Sequence, residues 1–324
     1  MIKVTLKCLL AFALCFWLFK NGKLDFGLII KSVQLGNMWI WALLFLLSRL
    51  FISSVRFQLL INTKAKNKIT FYKVLVFDAI GNFFSIILPG ASGGDLVKFF
   101  YIKKSTEGIS NTTLVSLLVL DRLIGLLGLV GLGTLVCFIQ WDSLYALNTG
   151  LIPFIYINAA IFFILALFLV LFFTPLLSHK KVLDLITRFF ANWPKIKSSF
   201  IDLLSIRISY NVFIKCFVLS LFNQIMIFVG FWLMASPFLP EGLSFLNMFS
   251  IIPIGMIGSS VPITPSGLGV GHVLFDNLFK LLGVTNGASL FNLFFVAYTL
   301  VNLLGVIPYV LYKDALKPHT GNKL

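Results

Sequence analysis

Two short stretches combine the residue types from which an anion or headgroup site is built. The first reads Leu88-Pro-Gly-Ala-Ser-Gly-Gly-Asp-Leu-Val-Lys98. Pro89 and the glycines leave backbone amides exposed, and Gly93 and Gly94 stand directly before an acid, Asp95, and a base, Lys98. A helix beginning near Gly94 points its free N–H groups and positive end into the space ahead of it, where an anion can bind. Asp95 and Lys98 are three apart on one helical face. They can pair with each other, or Asp95 can cap the helix while Lys98 meets a headgroup. The second stretch, Val261-Pro-Ile-Thr-Pro-Ser-Gly-Leu-Gly-Val-Gly-His272, repeats this physics with Pro262, Ser266, Gly267 and Gly269. His272, Asp276 and Lys280 follow at successive i,i+4 spacings, so one face of the helix is polar. That stripe is either a site or a structural Asp276 to Lys280 ion pair near the membrane surface.

Other ionisable groups interrupt apolar runs. Asp121 and Arg122 lie within Thr113 to Phe138, where a charge at the bilayer centre costs roughly 2.5–3.5 kcal/mol. Neighbours on a helix point about 100° apart, so each needs its own partner across the bundle. Arg49 and Arg56 share a face two turns apart with Ser53 between them, and Asp78 is a further buried acid. Structural pairing accounts for some of these groups, and a net excess of interior cations favours an anionic ligand.

Enzymatic chemistry finds little footing. His179, His272 and His319 and the eleven acids form no metal-ligand cluster, nucleophile elbow or P-loop, so no catalytic residue and no cofactor is expected. The Gly-x-Gly strings follow apolar helices and not strands, which argues against a dinucleotide fold. Cys8, Cys15, Cys137 and Cys216 fall inside apolar runs without metal spacing and read as packing residues.

The elements that must position these groups are membrane helices. Hydrophobic residues make up 59% of the 324 and charged ones 11%, too apolar for a soluble fold to hide. The 36 phenylalanines occur in runs, without the alternation of a β-barrel. The expected fold is therefore an all-α polytopic membrane protein, one transmembrane domain over residues 1–324. Full spans are predicted at 4–20, 38–61, 112–140, 151–175, 211–235 and 286–312. Residues 71–105 and 246–282, each an apolar arm, a Pro/Gly break and a short second arm, read as re-entrant hairpins. The first twenty residues lack a small-x-small cleavage site and read as an uncleaved helix. Amphipathic spacing over 179–206 predicts cytoplasmic interfacial helices ending and restarting at Pro194, with anchoring or lipid gating as alternatives.

The net charge of +15 lies in loops, which the positive-inside rule explains without nucleic acid. Clusters at Lys64 to Lys73, Lys98 to Lys104 and Lys180 to Lys215 should all be cytoplasmic. With six spans and two hairpins both termini are then cytoplasmic, and the hairpins enter from opposite faces as in inverted-repeat transporters. An echo at an offset of 174 sets Ile80, Gly81, Ser85 and Gly93 against Ile254, Gly255, Ser259 and Gly267. Chance in so apolar a chain explains it as readily as duplication.

The two breaks together with Val119-Leu-Asp-Arg122 resemble the lysylphosphatidylglycerol synthase transmembrane-region family, flippase-like integral membrane proteins. The Pro…Gly-Gly-Asp-x-x-basic stretch, the acid-Arg pair and the late Pro…Gly-x-Gly-Val stretch followed by Leu282-Gly-Val284 occur in the family's order over about residues 5–315. Ser54-Val-Arg-Phe57 is similar to the family's Arg-aromatic step. Lys98 stands where Arg is usual, Asp121 where Glu is usual, and His272 where Glu is usual. The last change loses the anion and offers a pH-sensitive substitute. Synthase members carry a soluble aminoacyl-transfer domain after this region, so this chain, ending at Leu324, is not expected to make the aminoacylated lipid.

The resulting expectation is a lipid translocator of the bacterial inner membrane. An anionic phospholipid or lipid-linked headgroup would be held between the hairpin tips by Gly93, Gly94, Ser266 to Gly269, Arg56, Lys98 and Arg122, oriented by Asp95 and Asp121. Two alternatives stand beside it: an accessory subunit presenting lipid to a transferase partner, and an ion-coupled transporter of a small anion using His272, Asp276 and Asp78.

Overall fold

In lipid the backbone has no hydrogen-bond partner but itself, so apolar runs of this length close their bonds within helices. The computed structural model describes residues 27–87, 93–106, 108–173, 208–260 and 269–312, together with Phe16 and Lys20. In chain order the helices are α1 (Gly27–Gln34), α2 (Asn37–Ile61), α3 (Phe71–Ile87), α4 (Gly93–Ser105), α5 (Asn111–Ile139), α6 (Trp141–Leu147) and α7 (Ile152–Phe173). There follow α8 (Tyr210–Ala235), α9 (Phe245–Met248), α10 (Ile252–Ser260), α11 (Val270–Leu281), α12 (Gly287–Leu303) and α13 (Val306–Leu311). Five stretches are long and apolar enough to cross a bilayer: Asn37–Ile61, Asn111–Ile139, Thr149–Val170, Tyr210–Phe238 and Gly287–Leu311. The protein is an all-α, multi-pass membrane protein.

These stretches coincide with five of the spans expected from sequence. The last of them is interrupted by a turn at Leu304 and Gly305. The short helices α1 and α6 were not anticipated. The expected first span over 4–20 (save Phe16 and Lys20), the interfacial helices over 179–206, and Pro89, Pro262, Ser266 and Gly267 lie outside the described residues.

Polar residues mark the ends of the apolar runs. Ser110 caps α5 by accepting the Thr113 N–H at 3.0 Å, and Asn62 closes the basic loop after α2 by exchanging hydrogen bonds with the backbone of Ile69. Helix α2 lies along α8 in the most extensive helix pairing, and α5 packs on both α7 and α8. Each broken segment folds on itself, α3 against α4 and α10 against α11. The first crossing depends on Gly94, where a Cβ would overlap Ser85 Oγ and the carbonyl oxygen of Gly81. Gly255, which the echo sets against Gly81 in this crossing, instead lies against the Phe275 ring. The two segments thus use corresponding glycines for different contacts.

Two apolar cores result. One, with Phe57, Ile80, Tyr101, Leu117 and Ile124, surrounds the first broken segment. The other surrounds the second and is largely aromatic, with Phe231 stacked on Phe294 at 4.8 Å and Phe275 on Phe291 at 4.6 Å between centroids.

Candidate functional site

Adjacent residues on α5 must face different helices, and Asp121 and Arg122 do. Asp121 turns to α2, where its two oxygens accept from Arg56 Nε at 2.8 Å and Nη2 at 3.0 Å. Arg56 Nη1 donates to Ser220 Oγ on α8 at 3.2 Å, so one guanidinium ties three helices. With side chains 8% and 15% exposed, this is a sealed, side-on ion pair.

Arg122 turns to α4 and pairs with Asp95, in the first turn of that helix. This pair is far more open, its side chains 43% and 34% exposed. One turn further along α4, Lys98 is buried and pairs with Asp78 on α3. Ser54 Oγ lies 2.8 Å from the other Asp78 oxygen, and the Lys98 ammonium rests 3.4 Å from the centroid of the Phe57 ring. Of the sequence alternatives, the pairing of Asp95 with Lys98 is not seen, because each finds an opposite charge on a neighbouring helix. Gly93 and Gly94, buried, open α4.

Within this cluster Arg56, Lys98 and Arg122 are balanced by Asp121, Asp78 and Asp95. The expected excess of cations is therefore not here. It is at Arg49, 8% exposed, which meets no carboxylate among the described residues. Its Nη2 donates to Asn302 Oδ1 at 2.7 Å and its guanidinium carbon lies 4.4 Å from the centroid of the Tyr298 ring. Although Arg49 and Arg56 share a helical face in sequence, they engage different helices.

The second segment forms its own polar group. Gly269, at φ 84°, is in the left-handed region that glycine tolerates, and its N–H donates to His272 Nδ1 at 3.3 Å. That fixes the ring proton on Nε2, which donates to Asn292 Oδ1 on α12 at 3.2 Å. Edge contact with Phe291 at 5.0 Å completes a buried, neutral imidazole. Asp276, also buried, reaches Lys280 at 2.9 Å, one turn along the same helix.

Sequence reasoning thus found the charged residues but missed the neutral ones that hold them: Ser54, Ser220, Asn292, Tyr298 and Asn302. Their signal was present, since an Asn or Ser in an apolar run also needs a partner in lipid. What was missing was the pairing between helices. The sequence profile of the lysylphosphatidylglycerol synthase TM region matches residues 4–307. No curated protein matches the chain.

Proposed function

From the premise that the chain belongs to the lysylphosphatidylglycerol synthase transmembrane-region family, we propose that it binds and translocates a phosphate-bearing membrane lipid. The observation that carries this reading is the contrast between ion pairs. Arg56 with Asp121 and Lys98 with Asp78 are sealed, whereas Arg122 with Asp95 is open on one side. A phosphate approaching from that side replaces Asp95 on Arg122 without exposing a buried charge, and Asp95 returns when the headgroup leaves. The sealed pairs hold α2, α3, α4 and α5 in place meanwhile. No residue is assigned a bond-breaking role.

The broken segments support passage of a headgroup across the bilayer. Over the described residues, at about 1.5 Å per residue, the arms of 17 and 13 residues in the first are about 26 and 20 Å long, and in the second the stretch Phe245–Ser260 and the 12 residues of α11 are about 24 and 18 Å. All are shorter than the roughly 30 Å hydrocarbon core, as re-entrant hairpins would be. In this reading the hairpins enter from opposite faces, the lysine clusters are cytoplasmic, and the membrane is the bacterial inner membrane.

A headgroup-exposure assay in proteoliposomes tests the proposal. Arg122→Ala is expected to slow translocation at least about tenfold, the loss of one charge-assisted contact. Equal rates with and without the substitution would sink the reading.

A further inference from the structure

We infer that Arg49, with Asn302 and Tyr298, is a second oxyanion seat, deep in the bundle and separate from the Arg122 and Asp95 pair. Arg56 and Arg49 lie on the same helix and provide the comparison. At Arg56 the Nε and Nη2 edge is filled by both oxygens of Asp121, at 2.8 and 3.0 Å. At Arg49 the same edge receives one amide oxygen, from Asn302 on Nη2 at 2.7 Å, and Nε is buried with no hydrogen-bond partner among the described residues.

An unfilled guanidinium donor is costly in a low-dielectric interior, and the cation meets no carboxylate among the described residues. Asn302 supplies one neutral oxygen where this edge is built for two charged ones. The Tyr298 ring stabilises the cation through the guanidinium face and takes no hydrogen bond from its in-plane donor edge. A tetrahedral or planar oxyanion presenting two oxygens fits that edge: one takes Nε, the other displaces or shares the Asn302 position on Nη2. Arg49 is the thirteenth residue of the 25 in α2, so the seat lies at mid-depth in the span. The ligand class is phosphate, carried by a lipid headgroup or free in solution. This inference rests on the lipid-handling reading only for the choice of the headgroup as carrier.

The test uses full-length protein in detergent, with thermal unfolding followed as short-chain phosphatidylglycerol or inorganic phosphate is added. Asn302→Asp gives Arg49 an internal partner with two oxygens, mimicking Asp121, and should close the seat. Arg49→Lys keeps the charge but removes the two-donor edge, and it carries the test if the Asn302 variant fails to fold. The expected result is a stabilising shift in the wild type that needs about tenfold more ligand in either variant. A shift with lipid alone assigns the seat to a headgroup, and an equal Arg49-dependent shift with inorganic phosphate assigns it to a free anion. Identical titrations in wild type and variants, or no shift with either probe, would overturn the seat. Translocation lost in Arg122→Ala, with Arg49→Lys unchanged in both translocation and ligand titration, would remove this seat and keep the translocator. Ligand shifts that depend on Arg49, with no translocation by the wild type, would do the reverse.

Discussion

At the residue scale the ion pairs differ in consequence because they differ in enclosure. Asp121→Asn leaves Arg56 charged, buried and short of one oxygen, and is expected to cost about 3–5 kcal/mol, read as a lowered midpoint of unfolding in detergent. Combining it with Arg56→Met removes the stranded charge and should recover much of that loss, a coupling that independent sites would not show. Arg122→Ala should destabilise less, since its pair is not sealed by protein, although it is the change expected to slow transport. Stability and activity therefore separate on neighbouring residues of one helix. The sequence made the need for partners legible at Asp121 and Arg122, because each is a charge in an apolar run. It could not assign the partners, because Arg56 lies 65 positions away and nothing in spacing links it to Asp121 and not to Asp95.

At the scale of the element, the first broken segment depends on how closely its arms cross. Gly94→Ala places a methyl group against Ser85 Oγ and the Gly81 carbonyl, and should cost about 1–3 kcal/mol as the arms are pushed apart. The same displacement moves Asp95 from Arg122 and Lys98 from Asp78, so the transport rate falls with stability. Adding Ser85→Ala should not restore either, because the Gly81 carbonyl remains; full rescue in a melting experiment would refute the backbone contact. Helix limits were the most legible part of the fold, since apolar run length and Pro/Gly breaks determine them directly. The short α1 and α6 were not legible, because seven or eight residues give too little periodicity to distinguish a turn of helix from a loop. His272 was legible only as part of a polar stripe with Asp276: the spacing did not reveal that the Gly269 N–H and Asn292 hold its ring.

For the whole molecule, thiol labelling from one side of the bilayer separates hairpins from paired spans, both of which place the lysine clusters on the same side and so share one charge pattern. In a background without other cysteines, Ala91→Cys, placed between the two arms, should resist an impermeant thiol reagent applied from outside intact cells. Glu241→Cys, in the loop after α8, should react. Labelling of both from outside would favour two complete crossings. The distance along the chain between Arg49 and its neutral partner has a further meaning for biosynthesis. Asn302 is 253 residues after Arg49, which at about 5–20 residues per second is roughly 13–50 s of translation. Asp78 and Lys98 can meet as soon as α3 and α4 have emerged, and Arg56 waits for Asp121. Helix α2 must therefore leave the translocon carrying two unneutralised guanidiniums, and the insertion machinery has to shelter Arg49 until almost the whole chain has been made.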